Sequence, residues 1–279
     1  MAKYIVTGSE GFIGKALVAF LVAQGHEVIG IDRKNGNEAS DIGKFLVTDD
    51  RPVAGVFHLA AQTSVFNPEI EQIRKDNIDT FITVCNQCAY AGIRLVYASS
   101  STAAPGNATS MYGISKRFDE LYARLYHDDA WGVRLHNVYG PDPRRGTLLW
   151  HLLNDDVVEI FNMGDNTRHF THIDDAVRGL YDVMTMPRNE CSPKTIKSRI
   201  VNVANPDVMT VREFAIEVSA RNGAKLRFIG GLRARDNYRQ KVEQGIISLS
   251  LHYKTVQEGL DAILGERDGM KIDDVNIGV

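Results

Sequence analysis

The sequence predicts a doubly wound α/β fold: a parallel sheet with helices on both faces, joined to a smaller, interleaved C-terminal lobe. Three observations predict it. Strand-length apolar runs alternate with amphipathic helical patterns through the first half of the chain. The first run leads into glycines at positions 8, 11 and 14 and then into a helical pattern. After Pro141 the alternation gives way to shorter, mixed elements, with no low-complexity linker and no repeat.

The elements follow in order. "YIVTG" reads as a strand, 11–24 as a helix and "EVIGID" as a strand. Residues 35–51 carry no clear period, so neither a full strand nor a full helix is placed there. "VAGVFHLAA" is the next strand, and "NPEIEQIRKDNIDTFITVCNQCAYAG" a long helix. "RLVYASS" is a strand, 112 to about 128 a helix, and "WGVRLHNVYG" a strand. Strands this apolar belong to a parallel sheet covered on both faces, and right-handed crossovers make it doubly wound. The expected division is a dinucleotide-binding core over 1–140, with 169–205 returning to it, and a substrate lobe from 141–168 and 206–279.

Composition narrows the function classes. The chain has 279 residues, 44% of them apolar and 24% charged, ordinary for a soluble globular protein with a sizeable core. A net charge of -3 gives no reason to expect nucleic acid or an anionic membrane as partner. No apolar run approaches a membrane span, and Met1-Ala2-Lys3 leads straight into a strand without a secretory signal. A cytoplasmic location is the expectation. Cys85 and Cys88 form a CxxC inside a helical pattern, and Cys191 stands apart, with no second ligand pair. The pair reads as two small buried residues one turn apart.

Gly8, Gly11 and Gly14 have a physical reason. Glycine turns tightly and lets backbone N–H groups approach an anion, and the helix N-terminus favours a pyrophosphate. Asp32 ends the second strand, 18 residues after Gly14, where its carboxylate can accept from both ribose hydroxyls of adenosine. Together these make a Rossmann dinucleotide site. A 2′-phosphate would be repelled by Asp32, which favours NAD over NADP, although Arg33 beside it could hold the extra phosphate.

"VYASSSTAAPGNATSMYGISK" carries the chemistry. Tyr112 and Lys116 are four residues apart and share a helix face, with Thr109 or Ser110 available as the cap. A free tyrosine is about 0.1% ionised at pH 7. A neighbouring ammonium and an oxidised nicotinamide favour the phenolate, a base able to take a proton from a sugar hydroxyl. A serine at the end of the preceding strand, Ser101, can bond the same oxygen.

The chain resembles the extended short-chain dehydrogenase/reductase family, the nucleotide-sugar epimerases and dehydratases. The likeness rests on "TGSEGFIG", "HLAAQTSV", "YASSS", "YGISK", "VRLHNVYGP" and "GDNTRHFTHIDDAV", in family order, with "GLRARD" and "KTVQEGLDAIL" following. It implies Ser101, Tyr112 and Lys116 as the catalytic set. It implies a cofactor held by Gly8, Gly11, Phe12, Ile13 and Gly14, by Asp32 and Arg33, and by Leu59, Ala60 and Ala61. Tyr112 and Lys116 also face that cofactor. Asp41-Ile42 looks most like the family's adenine-contacting pair, with Asp49 second. Thr63, Ser64 and Asn137 are implied at the substrate, and Arg168 and Arg233 as its diphosphate clamps, a task suited to guanidinium. A surface ion pair with Asp174 or Asp175 is the plainer reading of Arg168, and a solvated basic loop that of Arg233. His169 and His172 lack ligand spacing and read as structural, with no metal expected.

Departures sharpen the expectation. Family dehydratases place Asp-Glu after the catalytic threonine, where this chain has Thr102 and Ala103, so 4,6-dehydration and decarboxylation are disfavoured. Pro105 replaces the tyrosine usually found before Gly106, and the segment ahead of Tyr112 is short. The resemblance therefore implies an NAD-dependent nucleotide-sugar epimerase, acting at C4 through a 4-keto sugar. A 4-keto-sugar reductase and a non-catalytic dinucleotide-binding scaffold or sensor are the alternatives. It also implies a homodimer pairing helices 69–91 and 112–128, although their apolar stripes equally suit intramolecular packing.

Overall fold

Runs such as "KYIVT" and "AWGVRL" have no polar face, and the strands they form are buried along their whole length. The computed structural model describes residues 1–47, 51–63, 69–108, 110–187, 198–230, 242–243, 245–265 and 277–278. Two compact units share the chain. The first comprises Met1–Leu135, Ala176–Val203 and Val242–Ser250; the second comprises His136–Asp175, Ala204–Lys241 and Leu251–Val279.

The strands are β1 (Lys3–Thr7), β2 (Glu27–Ile31), β3 (Val53–His58), β4 (Leu95–Ser100), β5 (Ala130–Leu135), β6 (Val138–Tyr139), β7 (Val157–Phe161), β8 (Thr167–Arg168) and β9 (Thr171–His172). They continue with β10 (Ile200–Val203), β11 (Met209–Thr210), β12 (Lys225–Ile229), β13 (Ile247–Ser248) and β14 (Ile277–Gly278). The helices are α1 (Phe12–Ala23), α2 (Gly43–Leu46), α3 (Ile70–Ile73), α4 (Thr80–Ala91), α5 (Met111–Tyr126), α6 (Leu148–Asn154), α7 (Ile173–Thr185), α8 (Val211–Asn222) and α9 (Val256–Leu264).

In the first unit seven strands form one parallel sheet, ordered β13-β10-β5-β4-β3-β1-β2. The order reverses direction at β1. Thr7 is in register with Ile31 on one side and His58 on the other, so three strand ends meet where such sheets bind ligands. Ile5, Phe57, Val96 and Trp131 are fully buried in this sheet.

The helices start and stop for local reasons. Ser110, not Thr109, caps α5: its hydroxyl accepts from the Gly113 amide at 3.1 Å. Gly92 ends α4 in the left-handed region (φ +64°). The long helix expected over the third crossover is not regular. Between α3 and α4, Arg74–Asp79 forms a π turn, which carries Asp76 and Asn77 inward. Residues 33–46 hold two short 3-10 turns and α2, too short to show a period.

Two expected boundaries move. "WGVRLHNVYG" splits into β5 and β6 around Asn137, whose φ is +31°. Residues 242–250, expected in the substrate lobe, return to the first unit: β13 pairs with β10 and satisfies that edge.

In the second unit β12 lies between β7 and β14, all parallel. Its core includes Leu149, Ile160, Phe170, Phe214, Phe228 and Leu260, with Phe170 and Phe214 stacked at 4.0 Å. Capping boxes at Thr210–Glu213 and Thr255–Glu258 open α8 and α9. Among the described residues no helix is long and apolar enough to cross a membrane.

Candidate active site

The glycine turn is set by close backbone approach. Gly8 has φ +71°, and a Cβ there would stand 2.7 Å from the Ala60 amide nitrogen. A Cβ on Gly14 would fall onto the Gly8 carbonyl oxygen. The Gly8 amide donates to Ile31 O at 2.8 Å, and the Gly11 amide to Gly8 O at 3.0 Å, which fixes the loop. Gly11 caps α1 without a side chain, so nothing from the cap covers the first-turn N–H groups. This cradle fits a pyrophosphate, and Phe12 and Ile13 supply its opening turn.

A cavity extends from the turn. Gly8, Gly11, Asp32, Arg33, Leu59, Ala60 and Ala61 line it, together with Asn37, Glu38, Ala39, Gln62 and Asp76. Asp32 accepts from the Glu10 amide at 3.1 Å and the Lys34 amide at 3.0 Å, one on each oxygen. Those amides aim the carboxylate and leave lone pairs on both oxygens for ribose hydroxyls. Asp41 and Ile42, expected at the adenine, are not among the residues that line this cavity. Asp41 pairs with Lys44 at 2.9 Å on the exposed surface, and Ile42 is fully buried against the sheet. The 3-10 turns present Asn37, Glu38 and Ala39 instead. Asp49 lies outside the described residues.

The catalytic candidates converge on the start of α5. Ser101 is buried and begins the 3-10 turn Ser101–Ala103 that leaves β4. Its carbonyl accepts from Asn107 Nδ2 at 3.2 Å. That turn packs on α5: a Cβ on Gly113, the residue after Tyr112, would lie 2.8 Å from Thr102 O. Tyr112 is half-buried on the first turn of α5. Lys116 is 3% exposed, and its Nζ donates to Asp119 Oδ2 at 3.1 Å.

Burial without full compensation pushes the Asp119 carboxyl up to about 7, against the opposing pull of Lys116. His58 is held down to about 3 by burial and by the Lys116 charge, with its Nδ1 2.7 Å from Thr7 Oγ1. Asn77 ties the region together. Its Nδ2 donates to Ser115 Oγ and to Gln62 O, both at 3.0 Å, while the Gln62 amide donates back to Oδ1 at 2.7 Å.

Beneath α5, Glu120 takes both Arg134 Nε at 2.7 Å and Nη2 at 2.8 Å, and accepts from Ser99 Oγ at 2.7 Å. Arg134 also pairs with Glu243. The network joins the helix carrying Tyr112 to β4 and β5.

Thr63 is half-buried on the loop after β3. Ser64, Arg233 and Cys191 lie outside the described residues. In the second unit Asn137 is exposed, and Arg168 is buried with Nη1 donating to Thr167 O at 2.8 Å. Asp174 pairs with Lys254 at 2.6 Å. His169 Nδ1 donates to Asn205 O at 2.8 Å, and His172 Nδ1 accepts from the Asp174 amide at 3.3 Å. Among the described residues no three His, Cys, Asp or Glu side chains stand where they could hold a metal. Cys85 and Cys88 are buried free thiols, and burial pushes the Cys85 thiol up to about 12.

The model of the NAD dependent epimerase/dehydratase family matches residues 4–204, from β1 past the end of β10. The chain belongs to that family. Relatives include protein CapI of Staphylococcus aureus, 28% identical over 81% of this chain and 85% of its own length. The UDP-glucose 4-epimerase of Mycolicibacterium smegmatis is 29% identical over 63% and 71%. Among solved structures, UDP-glucuronic acid 4-epimerase from Bacillus cereus, in complex with UDP-glucuronic acid and NAD, shares the fold. Its TM-score is 0.66 at 19% identity, covering 98% of this chain and 96% of that one. The protein is an NAD-dependent enzyme of this epimerase/dehydratase family, and the cradle and Asp32 fit that cofactor.

Sequence reasoning missed Asp76, Glu38, Gln62 and Asp119. The signal for Asp76 was a polar "KDN" inside an otherwise amphipathic helix, which is where the π turn sits.

Proposed function

We propose that the enzyme epimerises a nucleoside-diphosphate hexose at C4. The observation that carries this reading is the packing of the Ser101 turn on α5 beside Tyr112, with Lys116 buried one turn on. NAD, held by the glycine cradle and Asp32, would supply the hydride acceptor and donor. Tyr112 acts as the general base that takes the proton of the sugar 4-hydroxyl, with Lys116 one helical turn on. Ser101 donates a hydrogen bond to the same oxygen and polarises the resulting keto group. Arg168, with Arg233, grips the diphosphate while the ring turns, so the opposite face receives the hydride. Asn137 and Thr63 contact the sugar.

Ala103 is fully buried, and it occupies the place at which the resemblance implies a glutamate in the family's dehydratases. That supports epimerisation over dehydration, as do the 4-epimerase names of relatives. The purified protein, given UDP-, GDP- and dTDP-hexoses and hexuronates, is expected to interconvert one C4 pair without added NAD(P)H. Failure with every member, or stoichiometric consumption of NAD(P)H, overturns the reading.

We also propose that two copies pair through α4 and α5. Leu125 is 72% and Tyr126 59% exposed, beside Ile114 and Leu121 on α5 and Tyr90 on α4. Sedimentation is expected to give a dimer, and Leu125→Glu a monomer.

A further inference from the structure

The cavity wall holds one side chain whose role is ambiguous from its position alone. Arg33 follows Asp32, and an arginine there can seize the 2′-phosphate that distinguishes NADP from NAD. Its geometry ties three of its five N–H donors to carboxylates. Nη1 donates to Asp76 Oδ2 at 3.0 Å and Nη2 to Oδ1 at 2.6 Å, a bidentate pair. Nε donates to Glu38 Oε2 at 2.9 Å and Oε1 at 3.1 Å. The guanidinium thus serves two carboxylates, both of which line the same cavity.

Asp76 is itself fixed. It sits on the inward face of the π turn, 6% exposed, and accepts from Gln72 Nε2 at 2.6 Å and Gln62 Nε2 at 3.4 Å. A phosphate arriving at the ribose would have to compete for Arg33 with a buried, hydrogen-bonded carboxylate that already fixes its orientation. Asp32, Glu38 and Asp76 also outweigh Arg33 and Lys34 in charge along this wall.

We propose that Asp76, seconded by Glu38, is a positioning residue for cofactor choice: it clamps Arg33 away from a 2′-phosphate and so excludes NADP. This rests on the reading of the cavity as the adenosine site. Releasing the clamp, rather than adding a new cation, is then enough to admit the phosphate.

The test is binding, followed by fluorescence titration of NADH and NADPH onto protein cleared of dinucleotide. Wild type is expected to prefer NADH strongly. Asp76→Asn is expected to narrow the preference roughly tenfold, by tightening NADPH, since the charge-assisted pair that holds both Nη groups is lost while Glu38 keeps only Nε. Glu38→Gln, an exposed and structurally mild change, narrows it less, and the two together narrow it most. In an Arg33→Ala background all of these gains vanish. Variants that bind NADH normally yet leave the ratio unchanged overturn the clamp. Gains that persist without Arg33 also overturn it, because they would come from lost repulsion alone. If the wild type binds neither dinucleotide, the adenosine reading of the cavity fails as well.

Discussion

The ammonium of Lys116 lies 3.1 Å from Oδ2 of Asp119, one turn along the same helix, and both groups are withdrawn from solvent. Oδ1 of Asp119 is buried with no hydrogen-bond partner among the described residues. Lys116, proposed to act with Tyr112, is therefore held by a carboxyl that burial pushes up to about 7.

That value has a sign. Asp119 titrates higher in the native chain than unfolded, so its contribution is fully present below about pH 4 and lost as pH rises to about 7. Asp119→Asn removes the dependence. Urea unfolding at stepped pH should show the variant gaining on wild type by up to about 1.4 kcal/mol per pH unit across that window. Parallel curves for the two proteins would contradict the burial of an ionisable carboxyl there.

His58 acts in the opposite direction. Its native value, about 3, lies below the unfolded 6.5, so its contribution is present above about pH 6.5 and lost as pH falls toward 3. His58→Gln should flatten the acid side of the stability curve. In Asp119→Asn, where the opposing proton linkage is gone, the net loss of stability toward acid should steepen. A native His58 that NMR finds titrating near 6.5 would refute this.

Gly8 tests the phosphate cradle. Its positive φ and the 2.7 Å approach to the Ala60 amide leave no room for a methyl group. Gly8→Ala should weaken NADH binding by at least about a hundredfold, on the order of 3 kcal/mol, since the loop must move off the helix terminus. Unchanged binding would place the dinucleotide elsewhere.

Glu120 and Arg134 test the support beneath α5. Breaking one side of this buried pair, as in Glu120→Gln, leaves Arg134 poorly matched and should cost about 3–5 kcal/mol by chemical denaturation. Replacing both by apolar residues should recover part of the loss.

What could be read from the sequence was what backbone geometry or fixed spacing dictates. Gly8 and Gly14 are required by contacts no side chain allows, and Tyr112 and Lys116 share a face because four residues make one turn. The parallel sheet was visible because its strands are apolar throughout. Where Asp41 and Ile42 would lie relative to the cavity was not legible because 33–46 folds as short turns with no period to count. Asp76 was hidden because a π turn shifts the helical phase. The return of 247–248 to the sheet was hidden because two residues carry no pattern.

The most direct test of redox isomerisation uses a nucleotide hexose deuterated at C4. The account predicts C4 epimerisation with the deuterium kept at C4, no exchange into water, and no net use of dinucleotide. It also predicts that Tyr112→Phe slows turnover by about a thousandfold while still binding NADH. Deuterium lost to solvent during epimerisation, or a Tyr112→Phe variant as fast as wild type, would contradict it.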